Sequence, residues 1–167
     1  MDLILTDTLS ATQKRGTTPN GVVPQHQPSG RQKMNLDTSP LERAIQRLAE
    51  GWDRYQQDTN DLQIRDGLIQ RFEFTYEISH KTLKRYLEAT AANPQAIDAM
   101  VFADLIRTAN EQGLLLGSWP NWRNYREMRS KTSHTYEESI ALEVVDGIPA
   151  FLDEARHLFE QLQQRQS

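Results

Sequence analysis

The chain reads as an all-α protein, an antiparallel up-and-down bundle of four main helices plus a short one. Three observations predict this. Apolar residues recur every three or four positions through several segments of the chain. Those segments are separated by short breaks built from Asp, Asn, Gly and Pro, and short connections make antiparallel neighbours. Strand-type alternation of apolar and polar residues is missing from the sequence.

Residues 1–37 are rich in Thr, Gln, Pro and Gly, as in Thr17 to Gly21 and Gln27 to Gly30. Such a stretch buries too little apolar surface to offset the entropy of ordering it, so it is expected to be a disordered tail ahead of a helical domain over residues 38–167. Met34 is a second candidate start, a reading that N-terminal sequencing of the native protein would reject by finding Met1 or Asp2. The first helix opens with Ser39 as N-cap, Pro40 at its first position and Glu42 closing a capping box. Leu41, Ala44, Ile45, Leu48, Trp52 and Tyr55 carry it to about Gln57.

Asp58 to Asp61 form a loop that also caps a second, long helix over Leu62 to Ala91. Its apolar stripe includes Ile64, Leu68, Phe72 and Tyr86, and the small Thr75, Ser79 and Thr82 in that stripe let a neighbouring helix come close. A third helix is expected from Pro94 to Gln112, with Ile97, Val101, Leu105, Ile106 and Ala109 as its apolar set, and ends at Gly113. Gly117-Ser118-Trp119-Pro120 starts a fourth, which carries Trp122, Tyr125, Met128 and Arg129. A short helix over Glu137 to Val145, a break at Asp146-Gly147 and a last helix over Ile148 to Gln164 complete the chain.

Composition narrows the function. The 167 residues carry 19 basic against 23 acidic side chains, a net charge of -4, so there is no overall cationic field of the kind that drives non-specific nucleic-acid binding. There is no cysteine, hence no disulfide and no thiolate chemistry or thiolate metal site. No cofactor motif is present. No run of about 18 apolar residues exists to span a membrane, and Met1 to Leu9 lacks the basic region and sustained apolar core of a signal peptide. A soluble cytoplasmic protein is expected.

One stretch concentrates reactive side chains: Arg129-Ser130-Lys131-Thr132-Ser133-His134-Thr135-Tyr136. An arginine grips a phosphate with forked donors, a histidine exchanges protons near neutral pH, and a tyrosine hydroxyl donates a hydrogen bond or accepts a transferred group. In an unbroken helix Arg129 and His134, five residues apart, would point in different directions. The intervening Ser130, Thr132, Ser133 and Thr135 are weak helix formers whose hydroxyls compete for backbone hydrogen bonds. Thr135 with Glu138 reads as a capping box for a new helix. Arg129 is therefore placed in the last turn of one helix and His134 at a junction, where a bend or a second subunit brings the groups together.

Arg71 to Glu77 (Arg-Phe-Glu-Phe-Thr-Tyr-Glu), Lys81 to Leu87 and Arg129 to Tyr136 together resemble the bacterial nucleotidyltransferase substrate-binding protein family of the HEPN superfamily. The hallmark of that superfamily is Arg, four to six residues, then His, and the resemblance covers residues 38–165. It implies a helical bundle that forms a homodimer and is bound by a cognate minimal nucleotidyltransferase. It further implies a toxin acting as a metal-free endoribonuclease, with Arg129 holding the scissile phosphate and His134 as general acid or base. Tyr136, two residues after the His, would be the adenylylation target by which the transferase neutralises the toxin. Ser130 and Ser133 are candidates for modification or substrate binding, and Arg71, Glu73 and Glu77 for supporting roles from the facing helix. Ser130 stands where family members often carry Asn, and His80 where many carry Trp.

The alternative is a non-catalytic subunit that presents a nucleotide or another substrate to the transferase through the same cleft, and RNA or a nucleotide is the candidate bound partner. A plainer reading pairs Arg129 with Glu137 or Glu138, leaves His134 at a helix junction, and treats Arg71, Glu73 and Glu77 as a solvated helix face. His80 and His157 lack metal-ligand spacing with other candidates and are expected at the surface or an interface. Trp119 and Trp122 are expected in the core or a dimer interface.

Overall fold

The computed structural model describes residues 34–167, so the expectation for the Thr- and Gln-rich segment before Met34 lies outside the described residues. Six helices follow one another: α1 (Ser39–Gln57), α2 (Leu62–Thr90), α3 (Pro94–Asp98), α4 (Phe102–Glu111), α5 (Trp119–Lys131) and α6 (Glu138–Gln166). A 3₁₀ turn, Thr132–His134, separates the last two. The bundle is all-helical, as expected.

α1 and α2 pair along their length, and the small residues of α2 explain how closely. Thr75 and Ser79 are fully buried, and the Thr75 hydroxyl donates to the backbone carbonyl of Ala44 at 3.2 Å as well as to that of Arg71 at 2.7 Å. Asp61 caps α2 through its carboxylate, which accepts from the backbone N–H of Gln63 and Ile64. The α1 cap differs from the sequence expectation. Thr38, one residue earlier, is the N-cap, the Ser39 N–H donates to the Asp37 carboxylate, and no Ser39–Glu42 capping box forms. Thr38 is itself buried, its hydroxyl accepting from Gln163 of α6 at 2.9 Å, which ties the start of α1 to the end of the chain. Met34 and Leu36 pack partly buried against the core.

The third expected helix is two. Val101, expected on its apolar face, is instead 65 % exposed and extended, and it starts α4 by accepting from the N–H groups of Asp104 and Leu105. The break re-aims the chain. Lys84 of α2 holds Asp98 at 2.6 Å, while Phe102 turns inward onto His80 and Trp119. α4 then stops at Gly113 (φ +72°), with the Gly113 N–H bonding Asn110 O and the Leu114 N–H bonding Ala109 O.

The expected break at Asp146-Gly147 does not occur; α6 runs unbroken through Gly147 and Pro149. Proline inside a helix costs about 3 kcal/mol because it removes one hydrogen bond and crowds the preceding turn. Val144, Val145, Ile148, Phe151 and Leu152 are all buried around it. At about 1.5–3 kcal/mol per buried side chain, continuity of that face outweighs the penalty. The centre of the bundle is aromatic: Phe151 of α6 meets Phe72, Tyr76, Trp122 and Tyr125 edge-on or tilted, with ring centroids 5.1–6.3 Å apart.

Candidate functional site

The reactive stretch sits where α5 ends against α2. α5 is oriented at its start by a capping box between Ser118 and Asn121 and by Glu154. The Glu154 carboxylate is only 1 % exposed and accepts from the backbone N–H of Leu116 (2.9 Å) and Gly117 (2.7 Å). Trp122, Tyr125 and Met128 form its buried face. Arg129 lies beside that face and points to α2.

There its guanidinium meets two carboxylates: Nε donates to Glu77 at 2.8 Å and Nη2 pairs with Glu73 at 3.0 Å, while Nη1 donates to the Thr132 hydroxyl at 3.3 Å. Glu73 and Glu77 are thus brought to Arg129 from 52 or more residues away in sequence, and the expected pairing with Glu137 or Glu138 is not made. Glu138 instead lies 3.8 Å from the buried Arg65. An arginine carries five N–H donors. These bonds leave donors on both terminal nitrogens, and the side chain is 30 % exposed. It can therefore take an oxyanion without first leaving its carboxylates.

Past Arg129 the hydroxyls turn the chain as their chemistry predicts. Ser130, Thr132, Ser133 and Thr135 each donate to the backbone carbonyl three residues earlier, at 2.9–3.4 Å. The helix tightens into the 3₁₀ turn and ends. The expected Thr135–Glu138 capping box is absent because the 3₁₀ turn carries the chain past Thr135 and α6 starts from Glu137, without a side-chain cap. Lys131 pairs with Glu143 and pins the turn to α6.

His134 is exposed at the end of the turn, and its ring lies 6.3 Å from that of Tyr136, edge to face. Tyr136 is 79 % exposed, and Ser130 and Ser133 face solvent. No hydrogen bond joins Arg129 to His134 among the described residues. Arg71 belongs elsewhere: it lies across Gly51 of α1 and donates to Arg47 O at 2.7 Å, so it does not support Arg129.

Three residues near Arg129 were not legible as site residues. His80, Phe102 and Arg126 join Tyr76, Glu77 and Ser130 around a cavity of about 300 Å³ that opens beside the guanidinium. His80 packs edge-on to Phe102 at 5.0 Å, and Arg126 lies 4.8 Å above the Phe102 ring. Burial holds the His80 imidazole below the usual histidine range; Glu77 opposes this, while Lys84, Arg126 and Lys81 reinforce it. Burial likewise pushes the Tyr76 phenol up to about 12. Only the i, i+4 spacing of Tyr76 and His80 hinted at their shared face. Phe102 is turned toward them by the break before α4. Among the described residues no three His, Asp or Glu side chains are grouped to hold a metal ion, and no helix is long and apolar enough to cross a membrane.

The chain matches the family described as nucleotidyltransferase substrate binding protein like over residues 36–164. It is 46 % identical over 99 residues to a Haemophilus influenzae protein named "Probable ribonuclease HepT", covering 59 % of this chain and 67 % of that one. It is also similar to a solved Haemophilus influenzae structure described as revealing the fold of a substrate binding domain of a nucleotidyltransferase. That likeness has a TM-score of 0.70 and 37 % identity, and covers 76 % of this chain and 99 % of that one. A match across nearly the whole helical bundle, including the α2 carboxylates and the Arg129 to Tyr136 turn, makes this chain a member of the nucleotidyltransferase substrate-binding protein family.

Proposed function

We propose that this protein is the toxin of a two-component system, a metal-independent endoribonuclease that acts as a homodimer in the cytoplasm and is held in check by a cognate minimal nucleotidyltransferase. The observation that carries this reading is the turn after α5. It leaves an arginine with donors to spare, clamped by two carboxylates, five residues before an exposed histidine whose ring meets that of an exposed tyrosine. The Haemophilus relative's name supports the same reading.

RNA can be cut by its own 2′-hydroxyl. His134 of one subunit takes the hydroxyl proton, the oxygen attacks the adjacent phosphorus, and the P–O5′ bond breaks to leave a 2′,3′-cyclic phosphate and a 5′-hydroxyl, with a histidinium returning the proton to O5′. Arg129 neutralises charge on the phosphorane oxygens, and Glu73 and Glu77 hold its fork in place for that contact. Two subunits supply two histidines for the two proton transfers. Neutralisation follows from the exposure of Tyr136. Its hydroxyl oxygen attacks the α-phosphorus of ATP held by the transferase, pyrophosphate leaves, and the attached AMP sets a bulky anion beside Arg129 and His134.

A second reading is favoured by the family's description and by that of the solved relative: a non-catalytic subunit presenting a nucleotide or other substrate to the transferase. One experiment separates the two. The protein is expressed in bacteria without a partner, beside Arg129→Ala and His134→Ala versions, and growth and RNA integrity are followed. Growth arrest with RNA cleavage, abolished in both variants, is expected. Normal growth with intact RNA and abundant folded protein would transfer the reading to the substrate-presenting subunit.

A further inference from the structure

The groove between α1 and α2 has no role in the chemistry above. It is a cavity of about 540 Å³ walled by Arg43, Arg47 and Arg71, with Phe74 and Ile78 on the α2 side, and no acidic side chain lines it. Arg43 and Arg47 are exposed and make no ion pair within 4 Å among the described residues. Asp37, an acid that feels the Arg43 charge, spends its carboxylate on the Ser39 N–H. Phe74 is 56 % exposed, an unusual place for a phenylalanine. In a protein of net charge -4, three arginines and an exposed aromatic ring lining one cavity form a local anion site with a stacking surface.

The groove also leads somewhere. Gly67 and Gln70 line both this cavity and a neighbouring one of about 520 Å³. That second cavity continues past Glu73, the partner of Arg129, to Thr132 and Thr135 on either side of His134. Its two carboxylates are engaged, Glu73 by Arg129 and Asp66 by Arg65 at 3.9 Å. Gly67 leaves the floor open, with nothing within 4 Å of where a side chain would begin.

We propose that this groove holds single-stranded RNA flanking the scissile phosphate. Arg43 and Arg47 grip the backbone and one base stacks on Phe74, so the strand is led along α2 to Arg129 and His134. The assignment rests on the ribonuclease reading for what happens at the far end. Stacked aromatics in a cationic groove bind single strands with little regard to sequence. The groove thus supplies affinity, and the turn supplies chemistry.

The test uses the full chain and a labelled single-stranded RNA that is 2′-O-methylated, hence uncleavable, titrated at several salt concentrations. Arg43→Ala/Arg47→Ala is expected to weaken binding at least tenfold and to lower the salt slope by about 1.4, since each phosphate no longer neutralised on a single strand removes about 0.7. Phe74→Ala should cost about tenfold with the slope unchanged. Arg123→Ala, which removes an exposed arginine of α5 that lines neither cavity, should bind as the parent does. All four substituted residues are exposed, and circular dichroism checks that the variants fold.

Unchanged affinity and salt slope in the groove variants would overturn the assignment, as would failure of the parent chain to bind the RNA. So would loss of nucleotidyltransferase binding with RNA binding intact, which would make the groove a protein surface. Cleavage that needs Arg129 and His134 but ignores the groove variants would sink this inference alone. RNA binding that needs the groove, without any cleavage by the parent, would sink the ribonuclease reading alone.

Discussion

Gly147 lies in mid-α6, where glycine costs a helix about 1 kcal/mol relative to alanine, so Gly147→Ala ought to stabilise. The packing predicts that this gain is lost. A Cβ built there would fall 2.4 Å from Met128 Sδ and 2.6 Å from its Cε, both far inside contact distance. Both atoms are the far end of a flexible, unbranched side chain, so Met128, although buried, can swing aside and the overpacking cost falls at the low end of the usual range, about 1 kcal/mol. That offsets the helix gain of about 1 kcal/mol, so Gly147→Ala is expected to leave stability unchanged to within about 0.5 kcal/mol. Tm should therefore stay within about 2 °C of the parent's. Gly67→Ala is the matched control. It is also mid-helix, but nothing stands within 4 Å of its Cβ, so it should gain about 1 kcal/mol.

Urea unfolding followed by circular dichroism gives both differences as shifts in midpoint at constant slope. Met128→Ala in the Gly147→Ala background should cost less than Met128→Ala alone, because the collision partner is gone. Met128 immediately precedes Arg129, so Gly147→Ala should also lower any Arg129-dependent activity while Gly67→Ala leaves the Arg129 clamp untouched. Equal stabilisation by the two alanines would refute the argument that Gly147 is there to admit Met128.

Glu154→Gln replaces a carboxylate that takes two backbone N–H groups with an amide that has one acceptor oxygen, so one buried donor loses its partner and stability should fall by about 2 kcal/mol. Denaturant unfolding measures it, and a loss under about 0.5 kcal/mol would show that the Leu116–Gly117 amides find another acceptor. His80 gives a pH signature. Its folded pKa is lowered, so the unfolded chain binds the proton first as pH falls below the ordinary histidine value; stability is intact above that value and declines below it, until the folded-state imidazole also protonates. His80→Gln should flatten that part of the Tm-versus-pH curve, and an unchanged curve would place the acid sensitivity in another group.

The helical periodicity, the punctuating Gly113, the Ser118 start and the hydroxyl-rich end of α5 were all legible because each is local. Hydrogen bonds within one turn settle them, and a few neighbouring residues contain the information. Local rules failed where a competing local signal met the bundle. Asp146-Gly147 reads as a break, but the apolar face of α6 is buried continuously on both sides of it. Ser39 and Thr135 read as caps, yet Asp37 takes the Ser39 N–H, and the 3₁₀ turn carries the chain past Thr135 so that α6 starts from Glu137.

By itself, then, the sequence determined an all-α bundle, its main helices, its family and the stretch where an arginine, a histidine and a tyrosine collect. Tertiary structure alone decided the partners of Arg129: Glu73 and Glu77 arrive from α2, while Arg71, equally close in sequence, is drawn away to α1. It also decided that His80 and Phe102 share a cavity with that arginine and that Arg43, Arg47 and Phe74 line one groove. The physical reason is range. Periodicity says which face of a helix is buried, but which charges meet across two helices depends on their relative rotation and offset, and these are set by the packing of the whole core around Phe151 and Trp122.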